Sequence, residues 1–159
     1  MKLLRPRGFT IIELMVVVAV AGILLATAVP SFTDATARAR LEGAANELSV
    51  DLQYARSEAV RRRTTATLTV DADGSGYTLT YFDPASADNV NFKTVTMPAT
   101  VTVTANATVQ FTSLRGLASA QTIDARSTKT TATLRVATNA TGRVQLCAPG
   151  GGFGGYPSC

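Results

Sequence analysis

Apolar and polar positions along the chain fall into three successive patterns. From Phe9 to Val29 there are 21 residues, and only Thr10, Glu13 and Thr27 carry a polar side chain. Such a run is long enough to cross a hydrocarbon core as a helix, which needs about 20 residues. From Leu41 onward the pattern narrows to a stripe: Leu41, Ala45, Leu48, Leu52, Ala55 and Ala59 recur at spacings of 4, 3, 4, 3 and 4. That spacing predicts an amphipathic helix, with Arg40, Glu47, Asp51, Arg56 and Glu58 elsewhere on its circumference. Residues 9 to about 63 therefore read as one long helix, interrupted near Pro30, whose ring removes a backbone donor.

After Arg61, Arg62 and Arg63 the period drops to two, in a composition of Thr, Val and aromatics that favours strands. Strands are expected at Thr65–Val70, Tyr77–Phe82, Lys93–Met97, Val101–Thr104, Thr108–Thr112, Ala120–Asp124, Thr131–Ala137 and Arg143–Cys147. The predicted class is α+β: a long N-terminal helix, half apolar and half amphipathic, the latter packed on antiparallel sheet. The three arginines sit at the negative end of the helix dipole, and Glu58 is placed to pair with Arg61 or Arg62.

Charge orients the chain. Lys2, Arg5 and Arg7 precede the apolar run and no Asp or Glu does, so the extreme N-terminus is expected in the cytoplasm and the rest beyond the inner membrane. The formal net charge of +4 then shrinks to +1 from Phe9 onward, with twelve basic against eleven acidic residues. Residues 91–159 hold Lys93, Arg115, Arg126, Lys129, Arg135 and Arg143 against Asp124 alone. Solvated strand faces account for such a surplus, and so does a surface meeting anionic lipid or nucleic acid. Cys147 and Cys159 fall on the oxidising side and are expected to be bonded. That bond would hold a glycine-rich tail at a gain of about 3 kcal/mol in the chain-entropy model.

Two readings of the N-terminus stay open on composition. One is a secretory signal peptide with Ala26-Thr27-Ala28 as its cleavage site. The other starts from Glu13, a carboxylate that interrupts the apolar run and would cost about 2.5–3.5 kcal/mol within a membrane unless paired. The stretch from Gly8 to Glu13, G-F-T-I-I-E, resembles the leader site of type IV prepilins and type II secretion pseudopilins. The resemblance implies that a prepilin peptidase cuts after Gly8 and that the new N-terminal Phe9 is methylated. It implies residues 1–8 as leader, 9–29 as transmembrane and assembly helix, and 30–159 as a periplasmic globular domain that includes the amphipathic half-helix. It also implies that Glu13 pairs with the amine of a neighbouring subunit's N-terminal residue, here Phe9, and that Gly22 and Pro30 loosen the helix.

A narrower resemblance rests on L-Q-Y-A-R-S-E-A-V-R-R-R at Leu52–Arg63, F-T-S-L-R-G at Phe111–Gly116, and T-L-R-V with T-G-R-V-Q-L-C between Thr133 and Cys147. These are similar to the GspH/FimT family of minor pilins and pseudopilins. Membership would imply a structural subunit at or near the tip of a type IV pilus or a type II secretion pseudopilus, priming assembly. Its partners would be other pilins or pseudopilins, prepilin peptidase and inner-membrane lipid. The alternative is a minor pilin that binds DNA in natural transformation through a basic C-terminal region with a G-R-x-R motif. Here Gly142-Arg143-Val144-Gln145 keeps the first arginine and replaces the second. Arg126, Lys129, Arg135 and Arg143 are the candidate DNA contacts, with Phe153 and Tyr156 as stacking residues. The C-terminal disulfide favours a type IV pilin over a secretion pseudopilin.

Catalysis finds little footing: there is no histidine, no metal-ligand constellation and no phosphate-loop motif. The stretch D-A-D-G-S-G at Asp71–Gly76 starts like a calcium loop, but Phe82 occupies the position where a bidentate Glu is required. A hairpin turn is expected there instead. No enzyme activity, cofactor or metal is expected.

Overall fold

A computed structural model describes the backbone of residues 8–159 and the side chains of residues 8–26 and 32–159. Residues 1–7 of the expected leader, and the side chains of residues 27–31, which include Thr27 and Ala28 of the alternative cleavage site and Pro30, lie outside the described residues. Helix α1 spans Ile11–Arg62. It is followed by β1 (Ala66–Val70), β2 (Gly76–Asp83), β3 (Asp88–Thr96), β4 (Val101–Ala105), β5 (Val109–Phe111), β6 (Gln121–Ser127), β7 (Thr133–Thr138) and β8 (Val144–Cys147). The chain divides into two compact units, the second running from Ala37 to Cys159.

Helix α1 runs without a break through Gly22 and Pro30. The interruption expected near Pro30 is absent, because a proline removes only its own N–H and the bonds of the neighbouring residues persist. The predicted stripe is the buried face: Leu41, Ala45, Leu48, Leu52, Ala55 and Ala59 have no exposed surface. Asp51 and Glu58, expected elsewhere on the circumference, are buried as well. Their burial has a physical reason in the partners described below, since a buried charge persists only when paired.

The strands form two four-stranded sheets, ordered β3-β2-β1-β5 and β4-β6-β7-β8. All pairings are antiparallel. The chain leaves the first sheet after β3, enters the second at β4, returns for β5 and leaves again at β6. Leu68, Tyr77 and Leu79 from the first sheet, Val103, Ile123, Leu134 and Val136 from the second, and the helix stripe make one continuous core. Strand alternation then leaves Thr67, Thr69, Thr78 and Thr80 on the opposite face of the first sheet, and Asp124, Arg126 and Arg135 on that of the second.

All eight expected strands are present, and the largest difference is β3, which starts at Asp88 rather than Lys93. Asp88, Asn89 and Asn91 are poor strand formers, but an edge strand leaves them exposed and paired on one side only. The D-A-D-G-S-G stretch is the expected β1–β2 turn, with Asp73 Oδ1 accepting hydrogen bonds from the N–H and hydroxyl of Ser75. The same turn ties the two sheets together, because the Val103 N–H donates to the Gly74 carbonyl at 3.0 Å.

Candidate functional site

Three places carry the chemistry singled out in the sequence. The first is the start of α1. Thr10 precedes the helix, and its Oγ1 accepts the N–H of Glu13 at 3.3 Å. This is the helix-facing half of a capping box, T-x-x-E, a signal present in the sequence beside the apolar run. Glu13 therefore lies in the first turn, where the helix dipole favours an anion. Every described residue from Gly8 to Ala26 is exposed, Phe9, Ile11, Ile12, Leu14 and Met15 among them. In the uncut chain the nitrogen of Phe9 is an amide, so an ammonium for Glu13 exists only after cleavage. Among the described residues no helix is long and apolar enough to cross a membrane; the expected span extends into residues whose side chains are not described.

The second place joins the three internal motifs. Arg56 on α1 donates from Nε to the Gly116 carbonyl at 3.1 Å and from Nη2 to the Thr141 carbonyl at 3.2 Å. Gly142 packs so closely on this junction that a Cβ there would stand 2.0 Å from the Gly116 carbonyl oxygen, at a φ of 75°. Only glycine fits such a site. Two residues on, Glu58 accepts from Arg61 Nε at 2.9 Å and Nη2 at 2.6 Å, and from Arg62 Nε at 2.7 Å. The Arg61 hydrogen bond, opposed by burial and helped by Arg62, holds the Glu58 carboxyl below its usual value. About two turns back from Glu58, Asp51 accepts the Tyr77 hydroxyl at 2.7 Å and the Lys93 ammonium at 2.6 Å. Burial first, and the Asp51 hydrogen bond second, push the Tyr77 hydroxyl well above the ordinary phenol range.

The third place is the basic face of the second sheet. Arg135 on β7 stands opposite Asp124 on β6 and donates to it through Nε at 2.6 Å and Nη2 at 2.9 Å. That bidentate pair is the main reason the Asp124 carboxyl lies below its usual value. Arg126, on the same face, approaches Asp124 at 3.6 Å and stays largely exposed. Arg126 and Arg135 line a concavity with Arg38, Thr133 and Phe153, while Arg135 and Arg143 line a second one beside the Cys147–Cys159 bond. Lys129, in the β6–β7 turn, lines neither.

The four candidate cations are thus not equivalent, and Arg135 is already occupied by Asp124. The two candidate stacking residues are also engaged: Arg38 lies 5.8 Å from the Phe153 ring centroid, and the Tyr156 hydroxyl accepts from Asn46 at 3.5 Å. The cysteines are bonded as expected.

Comparison with known proteins resolves what these features belong to. A family described as type II transport protein GspH matches residues 44–151. The chain belongs to the GspH family. The prokaryotic N-terminal methylation motif matches residues 4–29, so this GspH-family chain also carries the prepilin-type N-terminus.

Among solved structures, it is similar to the type IV minor pilin FimU of Pseudomonas aeruginosa. The identity is 26% over 69% of this chain and 89% of that one, with a TM-score of 0.57. The minor pseudopilin EpsH from the type 2 secretion system of Vibrio cholerae shares the fold, with a TM-score of 0.61 at 14% identity over 70% of this chain and 98% of that one. A fimbrial protein of Pseudomonas aeruginosa is 54% identical over 43 residues, covering 27% of this chain and 28% of the relative. The type IV major pilin protein PilE1 of Neisseria gonorrhoeae is 55% identical over 38 residues, 24% of this chain and 23% of that protein. The chain therefore spans about a quarter of the length of the curated relatives it matches. It is thus a GspH-family chain with the fold of the minor pilin FimU and the minor pseudopilin EpsH.

Proposed function

We propose that this chain is cut after Gly8, methylated on Phe9, and held in the inner membrane by residues 9–29 until it is drawn into a filament. There it acts at or near the tip and primes assembly through contacts with other pilins or pseudopilins. The observation that supports this reading is the start of α1. The Thr10 cap fixes the backbone of Glu13 in the first turn, which puts its carboxylate four residues from the position that would become a cationic amine on cleavage, at the head of a half-helix whose large apolar side chains are exposed. Two opposite charges brought together in an apolar filament core neutralise each other, whereas either alone would be strongly disfavoured. The helix thereby gains a register contact that apolar packing alone does not provide.

Mass spectrometry of the mature protein tests the first step: N-methylated Phe9 is expected, and a chain beginning at Val29 would overturn it. Glu13→Ala should leave cleavage intact and reduce incorporation into the filament; normal incorporation would sink the pairing with Phe9.

A second reading, DNA binding, draws on Arg126 and Arg143, exposed cations on the outer face of the second sheet. Gln145 on β8, which lines one concavity with Arg143, stands where another phosphate contact would be wanted. With Arg135 tied to Asp124, few cations remain for phosphates, and affinity for a polyanion follows their number. Duplex DNA titrated against the full chain at low salt decides it: binding weakened by Arg126→Gln and Arg143→Gln supports this reading, and no binding removes it.

A further inference from the structure

We propose that the outer face of the first sheet binds an extended, uncharged polysaccharide. The inference is independent of the assembly role, because it concerns the face turned away from α1. Five threonines, Phe82, Asn89 and Gln110 line a shallow concavity of about 390 Å³ there. Strand pairing sets them in register: Gln110 lies opposite Thr67, Thr67 opposite Thr80, and Thr80 opposite Asn91, a polar row crossing all four strands. Phe82 stands beside Asn89 in the next row.

Three properties of this face select the ligand. First, the strand side chains on it carry no charge: Lys93 of β3 turns inward to Asp51, and Asp83 and Asp88, opposite each other at the β2–β3 end, alternate to the other face from Phe82 and Asn89. A polyanion or an acidic peptide therefore finds no counter-charge. Second, the hydroxyls of Thr67, Thr69 and Thr80 and the side-chain amides of Asn89 and Gln110 make no hydrogen bond to another side chain among the described residues, while the backbone N–H groups of Asn89 and Gln110 donate to Asp88 Oδ1 and Ser119 Oγ. They present donors and acceptors side by side, which matches a ligand rich in hydroxyls that both donate and accept.

Third, Phe82 is 41% exposed, and the backbone beneath it is pinned: its N–H donates to the Thr65 carbonyl at 2.9 Å. An aromatic ring held at the edge of an uncharged polar surface offers a platform for the apolar face of a pyranose ring. The row adds direction. Neighbouring strands lie about 4.8 Å apart, close to the length of one sugar in an extended chain, so successive strands would meet successive sugars.

The test is saturation-transfer NMR of cellohexaose with the full chain in a zwitterionic, sugar-free detergent. Transfer to the sugar protons is expected, and Phe82→Ala and Asn89→Ala should each weaken binding about tenfold, roughly one lost contact apiece. Gln110→Ala serves as the second polar variant should Phe82→Ala disturb the fold, which circular dichroism would report. No transfer at millimolar sugar would overturn the proposal. So would transfer unchanged in both Asn89→Ala and Gln110→Ala, or transfer abolished by duplex DNA, which would move the site to the basic face.

Discussion

The guanidinium of Arg56 holds the Gly116 carbonyl at 3.1 Å. With its second bond, to Thr141, one helix side chain fastens two loops, the β5–β6 crossover between the sheets and the β7–β8 turn of the second. The three sequence stretches that carry the GspH resemblance meet at this point, which makes them parts of one packing contact. Arg56→Ala should destabilise the globular unit by about 1–3 kcal/mol, the range for leaving carbonyls without a charged donor. Arg56→Lys should restore little, since a lysine cannot present two donors in a fixed fork. Thermal unfolding followed by circular dichroism checks both, and a wild-type midpoint for Arg56→Ala would refute the fastening role.

Gly142→Ala should be more damaging than an ordinary glycine replacement, which costs about 1 kcal/mol where φ is positive. Its Cβ would collide with the Gly116 backbone, so the β7–β8 turn has to move. Reduced yield of folded protein is the expected result, against near-normal yield for Arg143→Gln next door. The comparison matters for any DNA experiment, because loss of binding in the glycine variant would report the fold and not the phosphate contact.

Acid should loosen the end of α1. The Glu58 carboxyl lies below its usual value of 4.5 in the folded chain, so its contribution is present above that value and is lost as pH falls through the lower, folded one. Asp124, held down chiefly by Arg135, adds a loss of the same sign starting from 3.8. Urea unfolding at about pH 5 and about pH 3 should therefore show a smaller drop for Glu58→Gln than for the wild type. An equal drop in both would mean that Glu58 is not a source of the acid sensitivity.

Asp51 and Lys93 form a coupled pair. Lys93→Met leaves the Asp51 carboxylate buried with only the Tyr77 hydroxyl, and should cost about 2–3 kcal/mol, at the lower end for a broken buried pair because Lys93 is a third exposed. Adding Asp51→Leu should recover part of that loss, since two apolar groups need no partner. Strict additivity of the two substitutions would argue against the coupling. The Asp51 hydrogen bond also raises the Lys93 ammonium above its usual 10.5, so this contribution is complete below that value and declines only as pH climbs past it.

Periodicity was enough to place α1, apart from the break expected near Pro30, and the eight strands, apart from the first half of β3, because spacings of 3.6 and 2 reflect which side chains must leave water, a local requirement. The family motifs at Gly8–Glu13 and Leu52–Arg63 were likewise legible as contiguous text. What the chain order hid was partnership. Asp51 looks like a solvated helix charge until Tyr77 and Lys93 arrive, whereas the pairing of Glu58 with Arg61 and Arg62 was readable from their spacing on the helix. Arg135 looks like a free cation until the β6–β7 register sets Asp124 opposite it.

The sequence alone determined which segments are helix or strand and which of their faces are apolar, since each is dictated by a few neighbouring residues. Only the tertiary structure decided which charges are neutralised, why Gly142 is required, and that an uncharged hydroxyl surface crosses four strands. Those properties depend on distances between residues far apart in the chain, and strand order and register set those distances.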